Sequence, residues 1–516
     1  MPRHLPLLLT VLLSIPASTA AALQLPAMFS DAMVLQRDRP TRIWGWATAG
    51  AKVDVVLGDH QRFTTANDAG RWELSMPELP AGGPHALTVS GDGSTTTIKD
   101  ILVGDVWLCS GQSNMAMTVS RCNNAQAEAD AAKYPQIRMF QVSSAHATEP
   151  QDTCRGTWVV CSPETVSGFS ATAYFFGRRL HRELNIPIGL INSSVGGTSI
   201  ESWTSMDAQS AVPAIKPRLE AWQQDDAAYD ADQAQARYEK ALDVWTKNAA
   251  AAKAAGKPVG RKPQLAGQPR NDRNFPANLF NGKIHPLVGY TLKGAIWYQG
   301  ENSSGRGFAH LYGDQLSTLI KDWRDRWGQG DFPFGWVQLP NYRTPQTQPA
   351  ESSGWVLVQD GMRRTLQIPH TGMAVTIDVG DARDIHPKDK QTVGHRMAQW
   401  ALADVYGQDI PAMGPIYRTS TVKGNTVIIE FDHADGLHAN SDLVKGFAIS
   451  GPDRKFVNAT AKIVGNTVHV SSDDVPEPVS VRYAWAANPV FSLYNSAKIP
   501  ASPFRTDDWD ETGQQG

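Results

Sequence analysis

A serine and a histidine far apart in the chain are the residues best suited to acyl-transfer chemistry. Ser113 lies in Gly-Gln-Ser-Asn, just after the apolar run from Val103 to Cys109, so we expect its hydroxyl at the carboxyl end of a strand, where open α/β sheets place their sites. His386 follows another apolar run, and Asp384 stands two positions before it. A hydroxyl, an imidazole base and an orienting carboxylate are typical of a serine hydrolase.

Each of these residues also has an ordinary structural interpretation. A serine near a strand end is frequently the N-cap of the next helix, and most single histidines are structural or surface groups. Ser113 lacks the G-x-S-x-G turn, which disfavours the α/β-hydrolase family. His386 differs from the other histidines in having three aspartates nearby, a strand before it and a helix begun by Pro387 after it.

Two further segments could stabilise an oxyanion. Gly196 and Gly197 follow the apolar run from Ile188 to Asn192, and paired glycines let backbone N–H groups approach a ligand, although a plain turn explains them equally well. Asn302 follows the run from Leu292 to Tyr298 and could donate from its side-chain amide. Its Asn-Ser-Ser sequence also fits a glycosylation sequon.

The elements that must hold these four segments alternate along residues 102–406. Apolar runs, the last from Met373 to Asp378, alternate with helical stretches such as Ala171 to Leu184 and Lys388 to Tyr406, which predicts a parallel α/β sheet with helices on its faces. Residues 215–268 interrupt the pattern with apolar residues at helical spacing among charges. We expect one or two amphipathic helices there, forming a surface excursion or a lid over the cleft.

Regions of short alternating strands flank this middle domain. Residues 23–101 and 407–516 carry runs such as Thr41 to Trp46 and Val427 to Phe431, separated by Gly, Pro and Asp turns, and both are predicted to be β-regions. Residues 1–22 combine a basic start, an apolar run and small residues, the pattern of a secretory signal peptide. The run is too short for a membrane anchor, so we expect a periplasmic or secreted protein.

Composition narrows the choice of partners. The 516 residues include 48 Lys and Arg against 51 Asp and Glu, a net charge of −3, which does not indicate a nucleic-acid partner. Four cysteines without a C-x-x-C pair argue against a metal or redox motif, and no cofactor is expected. In an oxidising compartment we expect Cys122 to pair with Cys154, while Cys109 stays a buried thiol.

The four site segments together resemble a known family. The strings GDVWLCSGQSNM, GGTSIESW, WYQGEN and DIHPKDKQTVGHRMA follow the block order of the SGNH hydrolases and are similar to the sialate O-acetylesterase family of carbohydrate esterases. The similarity covers about residues 23–506. It implies an SGNH, flavodoxin-like parallel sheet with helices on both faces, flanked by β-sandwich or jelly-roll-like regions.

The resemblance also implies a role for each site residue. Ser113 matches the family nucleophile, with its own N–H as one oxyanion donor. Gly196 or Gly197 matches the glycine block, with Gly196 preferred because Gly-x-Thr spacing fits better. Asn302 matches the asparagine block, and His386 matches the base.

The catalytic acid departs from the family pattern. SGNH enzymes commonly place an aspartate three residues before the histidine, where this chain has Arg383. Asp384 is therefore the assigned acid and Asp381 the alternative. A histidine supported only by a backbone carbonyl remains a third possibility.

The reaction implied is removal of an acetyl group from a sugar through an acetyl-enzyme. Gln112, Glu301, Trp203 and Arg383 flank the site segments and are the candidate substrate-binding residues. The substrate would be acetylated sialic acid or acetylated hemicellulose such as xylan or xyloglucan, with no membrane insertion after signal cleavage. The alternatives are a serine esterase or lipase of other acyl specificity and a non-catalytic carbohydrate-binding protein.

Overall fold

The first part of the chain is a set of β-hairpins that leads into one long strand. A computed structural model describes residues 23–305 and 307–511, and the predicted signal peptide at 1–22 lies outside the described residues. Residues 23–111 form seven strands: β1 (Val34–Gln36), β2 (Thr41–Trp46), β3 (Lys52–Leu57), β4 (His60–Thr65), β5 (Arg71–Met76), β6 (Gly82–Gly91) and β7 (Ser94–Gly111).

The middle of the chain alternates strands and helices. Its elements in chain order are α1 (Ser113–Ala116), α2 (Ala125–Asp130), β8 (Tyr134–Gln141), β9 (Trp158–Cys161), α3 (Ala171–Leu184), β10 (Ile188–Ser194), α4 (Met206–Ser210), α5 (Lys216–Ala227), α6 (Ala231–Ala254), β11 (Gly294–Tyr298), α7 (Tyr312–Trp327), β12 (Phe334–Val337), α8 (Gly354–Thr365), β13 (Thr371–Ala374) and α9 (Lys390–Trp400). The predicted α/β class is confirmed.

The central sheet runs in the order β13-β12-β11-β7-β10-β8-β9. All of its neighbours are parallel except the edge pair β8–β9, so the sheet is mixed rather than purely parallel as predicted. The first half of β7 pairs antiparallel with β6, while its second half lies between β10 and β11. The predicted domain boundary between residues 101 and 102 therefore falls inside β7, a strand that belongs both to the N-terminal hairpins and to the central sheet.

Helices cover both faces of the central sheet because its strands are apolar on both sides. On one face Trp107 of β7 packs edge-on against Phe176 of α3 and Trp400 of α9, with ring centroids 4.9 and 6.3 Å apart. On the other face Trp297 of β11 packs against Trp323 of α7 at 5.9 Å. These tryptophans are almost completely buried and belong to the core.

The carboxyl ends of β7, β10 and β11 meet at one edge of the sheet. Gly111 at the end of β7 stands opposite Ser194 on one side and Tyr298 on the other. The strand order reverses its direction at β7, and such a switch point opens a crevice where α/β folds bind ligands. Three of the four predicted site segments follow these three strands.

The last part of the chain is a second β-region. Its strands are β14 (Ile416–Lys423), β15 (Thr426–Asp432), β16 (His438–Ala439), β17 (Phe447–Ser450), β18 (Val457–Asn458), β19 (Thr460–Val464), β20 (Thr467–Ser471), β21 (Ser480–Tyr483), β22 (Leu493–Tyr494) and β23 (Phe504–Arg505). Two four-stranded sheets, β14-β15-β20-β19 and β18-β17-β21-β23, meet where Phe504 stacks on Tyr417 at 4.7 Å and contacts Phe431 at 5.7 Å.

The predicted excursion contains two helices, α5 and α6. Leu219 and Asp226 are buried on α5, whereas α6 buries only Ala234 and is otherwise half-buried or exposed. Among the described residues, no helix has the length and apolarity that crossing a bilayer requires.

The predicted disulfide is wrong. All four cysteines are free and buried. Cys122 belongs to the apolar core on one face of the central sheet and Cys154 to the core on the other face, so the sheet separates them. Cys109 is a fully buried thiol, as predicted.

Candidate active site

The predicted nucleophile stands where β7 turns into α1. Gly111 has a φ of +138°, and a Cβ at this position would lie 2.1 Å from the carbonyl oxygen of Tyr298, so only glycine fits. The N–H of Gln112 donates to the same Tyr298 oxygen at 2.9 Å, and the N–H of Val195 donates to the oxygen of Gly111 at 3.1 Å. Both neighbouring strands therefore fix the turn that presents Ser113.

The structure brings Ser113 and His386 together. Oγ of Ser113 lies 2.8 Å from Nε2 of His386, although the two residues are 273 positions apart. The long loop that carries the histidine is anchored to α9, because Arg396 of this helix forms a bidentate ion pair with Asp378 at 2.5 and 2.7 Å. The distance between serine and histidine is that of a hydrogen bond between a nucleophile and its base.

Asp384, rather than Asp381, faces the imidazole. Its Oδ1 lies 3.4 Å from Nδ1 of His386 and accepts the backbone N–H of the same residue at 2.9 Å. Oδ1 of Asp381 instead accepts the backbone N–H of Arg383 at 2.8 Å. The contact of Asp384 with the ring exceeds normal hydrogen-bond length, and the side chain is 48% exposed.

Hydrogen-bond donors lie around the serine. The N–H of Ser113 begins helix α1 and therefore has no partner within that helix. Gly196 lies against it, since a Cβ on Gly196 would be 3.3 Å from the Cβ of Ser113. Nδ2 of Asn302 donates to the carbonyl oxygen of Gly197 at 3.0 Å, which leaves its second hydrogen available.

A buried carboxylate lies beneath the nucleophile. Nε2 of Gln112 and Nδ2 of Asn114, the residues on either side of Ser113, donate to the two different oxygens of Glu301. Burial raises the pKa of the Glu301 carboxyl above its ordinary value, although Asn114 and nearby Lys390 counteract this effect. The two amides fix the backbone on both sides of the serine.

A buried lysine completes this layer. Nζ of Lys390, the first residue of α9, donates to Oδ1 of Asn114 at 2.6 Å and lies 5.0 Å from the ring centre of Tyr298. The side chain is fully buried, and burial lowers the pKa of its ammonium to about 7. Helix α9 therefore contacts the residue that follows the nucleophile.

Three of the predicted substrate-binding residues are corrected by the structure. Trp203 is fully buried, and its indole N–H donates to Oγ1 of Thr198 at 3.0 Å, so it offers no face to a sugar. Gln112 and Glu301 are buried and bonded to each other below the serine. Arg383 is exposed on the histidine loop, and its substrate role stays a prediction.

The structure brings to the site three residues that were not predicted from the sequence. Asn114 and Lys390 form the layer beneath the serine, and Nη2 of Arg273 lies 3.5 Å from the place of a Cβ on Gly197. For Lys390 a signal exists, because it shares the buried helix face of Val393 and Met397, where a cation is unusual. No local pattern singles out Arg273.

Metal-ligating side chains do not form a cluster in the described part of the chain. No three His, Cys, Asp or Glu side chains come together there as a ligand set.

Comparisons with known proteins agree on one group of enzymes. A family model described as carbohydrate esterase, sialic acid-specific acetylesterase matches residues 103–247 and 279–403. The sialate O-acetylesterase of Mus musculus is 31% identical over 546 aligned positions, covering 96% of this chain and 97% of its own, and that of Homo sapiens is 29% identical, covering 96% and 95%.

One solved structure is similar along nearly the whole chain. The crystal structure of a carbohydrate acetylesterase from Xanthomonas citri has a TM-score of 0.80 and 33% identity, covering 95% of this chain and 100% of that one. The family model matches α5 and most of α6, leaving residues 248–278 unmatched.

Proposed function

Because the chain belongs to the sialate O-acetylesterase family of carbohydrate esterases and is an esterase, we propose that it hydrolyses acetyl esters of sugars with Ser113 as the nucleophile. The observation that carries this proposal is the 2.8 Å contact between Oγ of Ser113 and Nε2 of His386, next to the backbone N–H groups of Ser113 and Gly196. That constellation supports covalent catalysis by a hydroxyl group.

In the first step Nε2 of His386 takes the proton of Ser113 as Oγ attacks the acetyl carbonyl carbon. The carbonyl oxygen becomes an oxyanion that accepts hydrogen bonds from the N–H groups of Ser113 and Gly196 and from the free amide hydrogen of Asn302. Each such donor contributes about 2.7 to 4 kcal/mol to the transition state in comparable enzymes. His386 then protonates the sugar oxygen, and the sugar leaves.

In the second step water hydrolyses the acetyl-enzyme. His386 takes a proton from the water as its oxygen attacks the acetyl carbon, and the same donors stabilise the second oxyanion. The proton returns to Oγ of Ser113 as acetate leaves. Asp384 faces Nδ1 of the ring from 3.4 Å and favours the cationic imidazolium during both steps.

The SGNH fold is part of this proposal. Its support is the position of the four segments, three at the ends of β7, β10 and β11 and the fourth between β13 and α9. In this arrangement Ser113 follows β7 without a G-x-S-x-G turn, which distinguishes the fold from that of the α/β-hydrolases. We also propose export to the periplasm or the medium, on the signal-like sequence of residues 1–22.

The substrate is proposed to be O-acetylated sialic acid, with acetylated hemicellulose such as xylan or xyloglucan as the second candidate. Arg273 beside Gly197 and Arg383 on the histidine loop are exposed, and two cations around the catalytic pair favour a sugar that carries a carboxylate. The matching family is described as sialic acid-specific, which supports sialic acid, whereas the Xanthomonas citri enzyme is described only as a carbohydrate acetylesterase.

The test is acetate release from a panel that contains O-acetylated sialic acid, acetylated xylan and acetylated xyloglucan. We expect wild-type turnover on at least one of these and a loss of at least about a thousandfold in Ser113→Ala. Faster hydrolysis of 4-nitrophenyl octanoate than of the acetate would favour a lipase. Retention on a glycan without acetate release would favour a non-catalytic binding protein.

A further inference from the structure

Lys390 is a buried cation for which the reaction steps have no use. Its side chain is fully buried at the start of α9, and its one hydrogen bond within the described residues runs to Oδ1 of Asn114 at 2.6 Å. Burying an ammonium costs free energy unless it is paired. A buried lysine at this position therefore indicates that its ammonium has a role that an apolar side chain could not fill.

The lysine and the glutamate fix the orientation of one amide between them. An ammonium can only donate hydrogen bonds and a carboxylate can only accept them. Asn114 turns its oxygen toward Lys390 and its NH₂ group toward Glu301. A flipped amide would oppose donor to donor and acceptor to acceptor, so this pair permits a single orientation.

The fixed amide connects the backbones of both catalytic residues. Asn114 directly follows Ser113, and its Nδ2 also donates to the carbonyl oxygen of Ile385 at 3.0 Å, the residue directly before His386. A rotation of this amide would release the histidine loop from the nucleophile turn. The 2.8 Å contact between Oγ and Nε2 depends on both backbones.

We propose that Lys390 is a positioning residue of the esterase, which locks the amide of Asn114 and thereby holds His386 at the hydroxyl of Ser113. The inference rests on the proposed function, because it assigns the lysine a part in bringing those two groups together. Lys390 itself touches neither of them among the contacts of the described residues.

The charges around the pair predict how its loss would change the pH profile. Lys390 faces Glu301, Asp384, Asp389 and the thiol of Cys122, while Glu301 faces Lys390 and His386. Burial raises the pKa of Glu301, and the ammonium holds this rise in check. Without the cation the pKa of Glu301 would rise further, and the O–H of a protonated Glu301 would compete with the amide donors.

The experiment compares Lys390→Met, Lys390→Gln and the exposed control Lys388→Met on 4-nitrophenyl acetate, after Ser113→Ala has been shown to be inactive. We expect Lys390→Met to lower kcat by about tenfold to a hundredfold with little change in KM. The acid limb of its kcat/KM profile should move up by about one pH unit. The double variant Lys390→Met/Glu301→Gln should keep the low kcat but return the acid limb to its wild-type position.

Lys390→Gln separates the hydrogen bond from the charge. Its amide can still donate to Asn114, so it should retain more kcat than Lys390→Met while showing the same displaced acid limb. A wild-type pH profile in both variants, or a failure of both to fold, would make the lysine merely structural and overturn the proposal. An active Ser113→Ala variant would instead defeat the proposed function, so the two failures are distinguishable.

Discussion

At the scale of single residues, Asp384 is bound more loosely to its histidine than a buried triad acid would be. Its carboxylate lies 3.4 Å from Nδ1 and is half exposed, so water screens its charge from the imidazole. We therefore expect Asp384→Asn to lower kcat by about tenfold to a hundredfold, well short of the roughly 10⁴-fold loss seen when a buried triad aspartate is replaced. The measurement is kcat on 4-nitrophenyl acetate.

The matched control is Asp381→Asn, because within residues 23–305 and 307–511 this carboxylate bonds only to the backbone of its own loop. This substitution should change kcat by no more than about twofold. A larger effect at position 381 than at 384 would exchange the roles of the two aspartates.

Arg273 provides the test of substrate charge. Its guanidinium borders the glycine loop, and a hydrogen bond to a charged group contributes about 1.5 kcal/mol or more. Arg273→Ala should therefore reduce kcat/KM for O-acetylated sialic acid by about tenfold, while leaving the neutral 4-nitrophenyl acetate unchanged.

The methyl ester of the same sugar should show no effect of the Arg273 substitution, and Arg261→Ala, an exposed arginine of the loop after α6, serves as the protein control. Equal losses on charged and neutral substrates would argue against recognition of a carboxylate.

Some site residues could be predicted from the sequence and others could not, for a physical reason. Ser113 stands in a short motif directly after β7, and His386 stands in a short motif between β13 and α9, so the local pattern reports their place. The partners of Asn114 are 187 and 276 positions away, and only the folded chain brings them together. The predicted substrate contact of Trp203 is wrong because its nearness to the glycine loop in the sequence does not determine which way its indole points.

At the scale of elements, the packing of α9 against α3 sets the position of the site. The two helices meet at Gly394, where an added Cβ would lie 2.5 Å from the Cβ of Phe175 and 2.8 Å from the backbone nitrogen of Phe176. Gly394→Ala should destabilise the fold by about 1 to 3 kcal/mol through overpacking, despite the better helix propensity of alanine. Urea unfolding measures this change.

The control is Gly168→Ala, since a Cβ at this exposed position meets no atom within 4 Å. Because α9 begins with Lys390, the Gly394 variant should also lose kcat. A Gly394 variant as stable as the wild type would mean that the helices can separate at no cost.

Element boundaries were predictable where capping residues mark them. Helix α3 has the predicted bounds, because the Oγ of Ser170 accepts the N–H of Ala173 and Asn185 ends the helix in a left-handed conformation. The continuity of β7 was not predictable, since a strand that changes partners midway shows no break in its alternation. The antiparallel edge strand β9 was missed because its four residues are too few to show a pattern.

At the scale of the whole molecule, the C-terminal β-region supports the catalytic loop. Nδ2 of Asn341 donates to Oδ1 of Asn488 at 3.1 Å, and Oδ1 of Asn341 accepts the N–H of Gly380 at 2.7 Å. Asn341 therefore connects the segment before His386 to Asn488 of the C-terminal region. The flanking strands were predictable from local alternation. Their role at the site was not, because it depends on contacts between residues far apart in the sequence, such as Asn341 and Asn488.

The buried Lys283 makes the stability of the whole molecule vary with pH in the alkaline range. Its Nζ donates to the carbonyl oxygens of Val142 and Ser144 at 2.7 and 3.1 Å, and burial lowers its pKa from 10.5 to about 8. The unfolded chain therefore binds a proton more tightly than the folded one, and the stability that Lys283 contributes is lost as the pH falls from about 10.5 to about 8. Between pH 7 and pH 9 the contribution of Lys283 to the free energy of unfolding should rise by about 1 kcal/mol.

Urea unfolding of the wild type and of Lys283→Met at the two pH values isolates this contribution, because the variant lacks the titrating group and should show a correspondingly smaller rise. Burial also raises the pKa of the thiols, that of Cys154 to about 11, so the thiols destabilise the fold as they ionise in the unfolded chain near pH 9. This contribution is present in both proteins and cancels in the difference between their pH dependences. An equal rise in the two proteins would assign the pH dependence to a different buried group, with Lys390 the next to be replaced.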